Sequence, residues 1–383
     1  MHAWPERSTT KSCAGSIPIP PARGGWSSIR ELVEELFAGE EAWIVGGAVR
    51  DELLGRPVVD LDVALDEPER AARAFARRSG GAPFPLSETH GAWRVALESG
   101  RTVDFTPLRG RIEDDLATRD FTINAIGRRV AGGEIVDPFG GRADLDSRVI
   151  RAVRDSVFTD DPLRLLRAVR FEHDIEDTWE QRPEVFNIEP STEKLIRTHA
   201  SLIVKPAGER ILAELRRLAE EGFERLDELD LLAPLGGSVG LFPKAHRLEI
   251  PDFLLVVFFG ENIERFPISK ELRRFARTLL AAERPKDASP RAIHRFRRAT
   301  EPWSGEALWF LGATDLLEAL DEAKKNEPRK PLVRGSELGI PPGPEVGRLL
   351  EQIAEERAAV TITTKEEALE YARRNAGSVR SDG

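Results

Sequence analysis

The chain has a single cysteine, Cys13, in 383 residues. One thiol cannot close an intramolecular disulfide or build a cysteine-rich zinc site. Long apolar runs are missing too. No stretch approaches the ~20 apolar residues needed to span a bilayer. The longest, around Phe253–Phe259, has the length of a buried element. Residues 1–25 carry Pro, Gly, Ser and scattered charge but no signal-peptide apolar core, so they read as a mobile leader. These absences point to the cytoplasm. Positive charge is not in excess either: the net charge is −10, which argues against a chain coated in nucleic acid. Three local clusters keep RNA contact open: Arg148, Arg151 and Arg154; Arg210, Arg216 and Arg217; Arg291, Arg295, Arg297 and Arg298. Each taken alone reads as a solvated helix face.

What is present is an ordinary globular mixture, 40% hydrophobic and 32% charged, long enough for two or more packed units. Helical spacing of Ile29, Leu32, Val33, Leu36 and Phe37 predicts a helix over 28–37, with Ser28 and Glu31 as a capping box. Residues 42–45 form a short apolar strand that ends in Gly46-Gly47. A brief helix then stops at Gly55, a strand covers 58–65, and Pro68 opens the next helix. Trp93, Val95 and Leu97 alternate, as do Val103 and Phe105, about a Ser99-Gly100 turn, which predicts a hairpin. A last short strand falls near 134–136. Beyond Asp137 strand signals become rare, and 161–171, 192–203, 207–221 and 271–282 carry helical patterns. No internal repeat is visible. The expected fold is α+β: a head over 26–137 with a small mixed or antiparallel sheet, an all-α neck over 138–205, and a helical body and tail over 206–383.

The strand Val59-Asp60-Leu61-Asp62-Val63 carries the chemistry. Side chains alternate along a strand, so Asp60 and Asp62 share one face while Leu61 and Val63 share the other. Adjacent carboxylates repel. A cation between them removes that cost, and oxygen-only ligands favour Mg²⁺. Asp104, between Val103 and Phe105, offers a third carboxylate to complete a two-metal site. Two ions ~3.5–4 Å apart can activate a hydroxyl and neutralise a leaving pyrophosphate. Upstream, Gly46-Gly47-Ala48-Val49-Arg50-Asp51 follows a strand and opens a helix, where backbone N–H groups cradle phosphates. Arg50 can add a charge-assisted contact to a triphosphate. A phosphate loop and metal carboxylates joined by one short helix make a compact nucleotide site.

These residues resemble a known family. Gly46-Gly47-Ala48-Val49-Arg50-Asp51-Glu52-Leu53-Leu54-Gly55, followed by Asp60-Leu61-Asp62, is similar to the head of class II CCA-adding enzymes (tRNA nucleotidyltransferases) and bacterial poly(A) polymerases. Further blocks match in order. They are Arg119-Asp120-Phe121-Thr122-Ile123-Asn124-Ala125, then Asp137-Pro138-Phe139-Gly140-Gly141 with Asp144 and Ile150-Arg151. Asp161-Pro162-Leu163-Arg164-Leu165-Leu166-Arg167-Ala168-Val169-Arg170-Phe171 follows, with a looser Glu209-Arg210 and Glu214. The resemblance covers roughly residues 43–217. It implies a polymerase-β-like nucleotidyltransferase head that extends a tRNA 3′ end from CTP and ATP with Mg²⁺ held by Asp60 and Asp62. Asp60, Asp62 and Asp104 are then the catalytic candidates. Gly46, Gly47, Arg50, Arg119, Asp120 and Asn124 bind the nucleotide.

The resemblance also assigns base selection to Asp161 and Arg164. A carboxylate accepts from the exocyclic amine of C or A, and a guanidinium donates to the adjacent ring acceptor; U and G present the opposite order. A helix starting near Pro162 places Arg164, Arg167 and Arg170 at three-residue steps, the outer two contacting phosphate or supporting the pocket. Asp161 also suits a helix N-cap. Thr118 and Asp160 depart from the family's usual Arg and Glu. The Phe105–Arg119 segment is short, as in members that add only two cytidines. Full CCA addition, CC addition alone and poly(A) synthesis therefore all stay open. Pro331–Gly339 and Pro342-Gly343-Pro344 resemble the closing segment of tRNA-type members.

Overall fold

A computed structural model of the chain describes residues 26–58, 60–87, 91–173, 185–240, 248, 250–326 and 330–376. The expected leader and Val59 lie outside this set. Contacts divide the chain into two units, Met1–Val157 with Phe186–Thr192, and Phe158–Val185 with Glu193–Gly383. Among the described residues no helix is long and apolar enough to cross a membrane.

The first unit is built on a seven-stranded mixed sheet in the order β3-β4-β5-β2-β1-β6-β7. Its elements run α1 (Trp26–Phe37), β1 (Trp43–Val45), α2 (Gly47–Leu53), β2 (Asp60–Leu65), α3 (Pro68–Ser79), β3 (Ala82–Ser87), β4 (Ala92–Ala96) and β5 (Thr102–Pro107). They continue with α4 (Ile112–Leu116), β6 (Gly127–Arg129), β7 (Ile135–Val136), α5 (Gly141–Asp146), β8 (Val149–Ile150) and, after a stretch of the second unit, β9 (Asn187–Ile188). β4 and β5 form the expected hairpin. β2 and β5 instead pair in parallel, because α3 carries the chain across the sheet before β3 and β4 bring it back. On β2, Leu61 and Val63 are buried while Asp60 is exposed and Asp62 is half-buried, the alternation read from the sequence.

The two faces of the sheet have different fates. α1 and α3 cover the back: Phe37 and Phe75 each lie 5.7 Å, ring centre to ring centre, from Phe105, and all three are fully buried. Burying each such ring contributes about 1.5–3 kcal/mol. On the front, Ile112 and Leu116 of α4 pack with Trp43, Val45, Ala64 and Ala125. The carboxylates of β2 and β5 stand on that same front face.

The second unit is helical, as expected. It comprises α6 (Val157–Asp160, starting at the boundary), α7 (Arg164–Glu172), α8 (Pro190–His199, whose first three residues fall in the first unit), α9 (Gly208–Leu215), α10 (Glu220–Glu228), α11 (Leu232–Leu235) and α12 (Pro251–Phe259). After these come α13 (Lys270–Leu280), α14 (Pro290–Thr300), α15 (Ser304–Phe310), α16 (Leu317–Lys325), α17 (Pro344–Ala358) and α18 (Lys365–Asn375). The apolar run at 253–259 is the buried α12, whose Phe258 stacks on Phe223 at 4.5 Å. Arg225 ties three acids together, bonding Glu172 at 2.9 Å, Glu193 at 2.6 Å and Glu228 at 2.9 Å. The motif at 331–339 helps build a small core of Val333, Leu338, Leu349, Ile353, Ile362, Ala368 and Ala372.

Several expectations shift. β3 was not foreseen because Pro83 and Pro85 disguise it; at the sheet edge those prolines are tolerated. α1 starts at Trp26, so Ser28 is a first-turn residue and not the cap. The helix expected over 207–221 breaks into α9 and α10, where the Ala219 N–H leaves the helix to donate to the His173 carbonyl at 3.1 Å. Residues 138–157 fall in the same unit as the sheet. Thr122 Oγ1 donates to the buried Asp144 at 2.6 Å, and the Asp137 carboxylate accepts from the N–H groups of Gly141 and Arg142 at 2.7 and 3.0 Å.

Gly141 makes that junction possible. A Cβ there would lie 2.1 Å from the Thr122 carbonyl oxygen and 2.8 Å from its carbon. Gly141→Ala is expected to destabilise the protein by about 1–3 kcal/mol through overpacking. Urea unfolding checks this; an unchanged midpoint would contradict the packing described.

Candidate active site

Pairing registers assemble the front-face site. Arg94 of β4 lies opposite Asp104 of β5, which lies opposite Asp62 of β2. A cation and two anions thus form one row across three strands, with Asp60 beside them opposite Thr102. The Thr102 hydroxyl donates to Asp60 at 2.7 Å. Arg94 holds Asp104 in bidentate fashion, Nε to Oδ1 and Nη2 to Oδ2, both at 2.7 Å. Hydrogen bonding to Asp104 also raises the guanidinium's pKa above its ordinary value.

Asp62 is the perturbed member. Burial pushes its carboxyl up to about 6; Arg119 pulls it down, Asp104 and Asp60 push it up, and Arg94 pulls it down. A divalent cation beside Asp60 and Asp62 would reverse that penalty, and an all-oxygen donor set suits a hard ion. The residues present therefore fit a divalent metal. Among the described residues no three His, Cys, Asp or Glu side chains converge as a ready-made metal site. Asp104, expected to complete such a set, stands beside Asp62 with each of its oxygens accepting one bond from Arg94.

The Gly46-Gly47 loop lies next to this row. Gly46 has φ 72° and ψ −139° and caps α2 without any side-chain hydrogen bond. A Cβ on Gly46 would sit 2.9 Å from Arg119 Nη1 and 3.1 Å from Asp62 Oδ2, so glycine leaves room for both groups. Arg119 pairs with the buried Asp115 at 3.3 Å. Arg50 Nη1 donates to Asn124 Oδ1 at 2.8 Å, and Asn124 Nδ2 donates to the buried Asp120 at 2.9 Å. Asp120 also accepts from the Phe121 N–H at 2.8 Å. Arg50, Asn124 and Asp120 thus form one hydrogen-bonded chain beside Gly47, while Gly46 and Arg119 lie against Asp62.

Asp161, Arg164, Arg167 and Arg170 belong to the second unit. α7 starts at Arg164, two residues later than expected, and Asp161 Oδ1 accepts from the Leu163 N–H at 3.1 Å. Its other oxygen accepts from Arg210 at 2.9 Å. Arg170 is buried against Glu214 at 3.3 Å, and Arg167 reaches the same carboxylate at 3.7 Å. Both guanidinium groups also lie over the Phe171 ring, at 4.8 and 5.5 Å. Of the two roles expected for these outer arginines, support fits this geometry better than phosphate contact.

The Poly A polymerase head domain family matches residues 42–111 and 94–151, and the family described as a probable RNA and SrmB-binding site of polymerase A matches 185–236. An A-adding tRNA nucleotidyltransferase of Deinococcus radiodurans is 32% identical over 425 aligned positions, covering 87% of this chain and 95% of that protein. The chain belongs to the tRNA nucleotidyltransferase and poly(A) polymerase family. A CC-adding tRNA nucleotidyltransferase of Geobacter sulfurreducens is 45% identical over 208 residues, 54% of this chain and 44% of that protein. The Thermotoga maritima CCA-adding enzyme, solved as a complex with tRNA, shares the fold with a TM-score of 0.69 at 24% identity, over 91% of this chain and 95% of that one.

In this nucleotidyltransferase Arg94, Thr102 and Asp115 escaped the sequence reading. Arg94 was within reach: the Ser99-Gly100 turn sets the β4–β5 register that places it opposite Asp104. Thr102 and Asp115 carry no comparable signal.

The raised Asp62 carboxyl has a consequence for the metal-free protein. Its folded pKa lies above the unfolded value of 3.8, so its stabilising contribution is complete below that pH and is lost as pH rises through about 6. The shift corresponds to about 3 kcal/mol at most. In EDTA at pH 8, Asp62→Asn is therefore expected to melt above the unmodified protein, with the gap closing near pH 4. Mg²⁺ should raise the melting temperature of the unmodified protein only. Calorimetry checks both, and a variant melting lower in EDTA at pH 8 would contradict the assignment.

Proposed function

We propose that this enzyme extends the 3′ end of tRNA by in-line attack of the RNA 3′-hydroxyl on the α-phosphate of CTP or ATP, releasing pyrophosphate. The observation that carries this reading is the Asp60–Asp62 pair on one strand face, with the Gly46 loop and Arg119 against it. Asp60 and Asp62 would hold Mg²⁺, which supplies charge neutralisation at the transferred phosphate and the leaving pyrophosphate. Gly46 and Gly47 open backbone N–H groups toward the triphosphate, and Arg50 and Arg119 add positive charge. Asn124 and Asp120 hold Arg50 in place. Most catalytic power in such a transfer comes from positioning and charge stabilisation, which these groups provide.

Asp161 and Arg164 would choose the base, presenting one acceptor and one donor edge that match C and A. Leu163 and Arg210 fix the Asp161 carboxylate in one orientation. Arg167 and Arg170 support α7 through Glu214. tRNA and nucleoside triphosphates as substrates, with a lone cysteine, suit the cytoplasm.

A second reading has its own support. Residues 108–118 are short and contain α4, whose Ile112 and Leu116 are buried in the head core. A segment anchored this way favours addition of the two cytidines alone over the full CCA sequence. Both readings are separated by incubating the protein with Mg²⁺ and a tRNA ending at the discriminator base, then resolving products at single-nucleotide length. Two additions with CTP and a third only with ATP establish CCA addition; a stop at two with both nucleotides present establishes CC addition. Long tails from ATP alone would overturn the tRNA reading, and no extension would overturn the enzymatic one. Asp62→Ala is expected to abolish extension while sparing tRNA binding. Arg164→Ala should relax base choice more than it weakens triphosphate binding; unchanged base preference would remove it from selection.

A further inference from the structure

The pairing registers extend the acidic row to the edge of the sheet. Phe84 of β3 lies opposite Arg94, Arg94 opposite Asp104, and Asp104 opposite Asp62. Directly paired residues share a sheet face, so Phe84 stands on the front with the carboxylates. Three strand steps of about 4.8 Å put it roughly 14 Å from Asp62. The other phenylalanines of this sheet are buried in the back core, whereas Phe84 is 42% exposed. Among the described residues it is the one exposed aromatic side chain. Leu86, also exposed, enlarges the apolar patch. Pro83 and Pro85 flank Phe84 on this edge strand. Prolines at alternate positions offer no N–H, so a strand from another chain finds no ladder to join there. They also fix φ on either side of Phe84, which makes its backbone rigid.

The geometry of the reaction says what meets this ring. Gly46 and Arg119 lie against Asp62 from the side of β1, where Val45 is the partner of Asp62. In phosphoryl transfer the attacking and leaving oxygens are roughly in line. With pyrophosphate leaving beside Gly46, the RNA 3′-hydroxyl arrives from the opposite flank, over β5, β4 and β3. We infer that Phe84 is a stacking platform for a base at the single-stranded 3′ end of the RNA. This deepens the reading of the site as one for in-line attack by that end, and rests on it. Every base has a π-face, so stacking on an aromatic ring tolerates any sequence. That tolerance suits an RNA whose terminal base changes as nucleotides are added. A base held on Phe84 fixes the direction from which the chain crosses toward Asp62, without reading its identity.

Two measurements on the full-length protein test this. The first is steady-state extension of a tRNA ending at the discriminator base, with CTP and Mg²⁺. The second is quenching of an aminopurine placed at that terminal position, read without nucleotide. Phe84→Ala is expected to raise the KM for tRNA by about tenfold, the scale of one lost base–aromatic stack. It should weaken the quenching and leave the KM for CTP and the melting temperature unchanged. Phe84→Leu keeps an apolar surface without a π-face and should behave as Phe84→Ala does. Phe84→Trp, which keeps a stacking face, should recover most of the lost affinity. Unchanged tRNA KM and quenching in Phe84→Ala would overturn the platform. So would full recovery in Phe84→Leu, or a loss of self-association in Phe84→Ala with tRNA KM unchanged, which would make the patch a contact between copies of the chain. If the unmodified protein extends no tRNA, the underlying reading fails; if it does while the Phe84 variants match it, only the platform falls.

Discussion

Like-charge repulsion among Asp60, Asp62 and Asp104 is the constraint around which the head is organised. A parallel β2–β5 pair puts Asp62 beside Asp104, and strand alternation puts Asp60 on the same face. Such a face is unfavourable in a folded protein unless countercharge is supplied. The chain supplies part of it: Arg94 neutralises Asp104 from one side, and Arg119 approaches Asp62 from the other. Asp62 is left with a carboxyl raised to about 6. A divalent ion held by Asp60 and Asp62 would relieve that residual penalty. The back of the sheet carries the compensating stability, through Phe37, Phe75 and Phe105 under α1 and α3.

The same charge logic explains how an acidic chain serves an RNA substrate. The basic clusters, each of which reads in the sequence as a solvated helix face, are largely matched by acids. Arg291, Arg295 and Arg298 of α14 face Glu356, Glu355 and Glu351 of α17 at 2.7, 2.6 and 2.9 Å. Arg216 pairs with Asp252 at 2.8 Å, and Arg151 with Asp144 at 3.1 Å. Most of these pairs are exposed, and each contributes little to stability, about 0–1 kcal/mol. Their effect is to align α14 with α17 and to keep local charge near neutral. Under the proposed reading, base selection then falls to a few side chains, Asp161 and Arg164 foremost, and not to a broad basic surface.

The acidic strand was legible because it depends on local alternation: Asp60 and Asp62 face one way whatever the rest of the chain does. The Gly46 loop was legible for a similar reason, a strand, a left-handed glycine and a helix in immediate succession. Long-range pairing was not. The parallel β2–β5 contact spans about forty residues, and nothing local distinguishes it from a hairpin partnership. The grouping of residues 138–157 with the sheet was not legible because it runs through polar links, Asp144 to Thr122 and Asp137 to the start of α5. The start of α7 was misplaced because Pro162 is a good first helical residue, whereas Asp161 closes a turn through the Leu163 N–H before the helix begins.

The most direct test of this account is a crystal of the protein grown with Mn²⁺ and a non-hydrolysable CTP analogue, with anomalous scattering used to locate the metal. The account predicts Mn²⁺ coordinated by Asp60 and Asp62 and by triphosphate oxygens, beside the Gly46 loop. Anomalous density bound elsewhere, or nucleotide seated at Gly46 with no metal at either carboxylate, would contradict it.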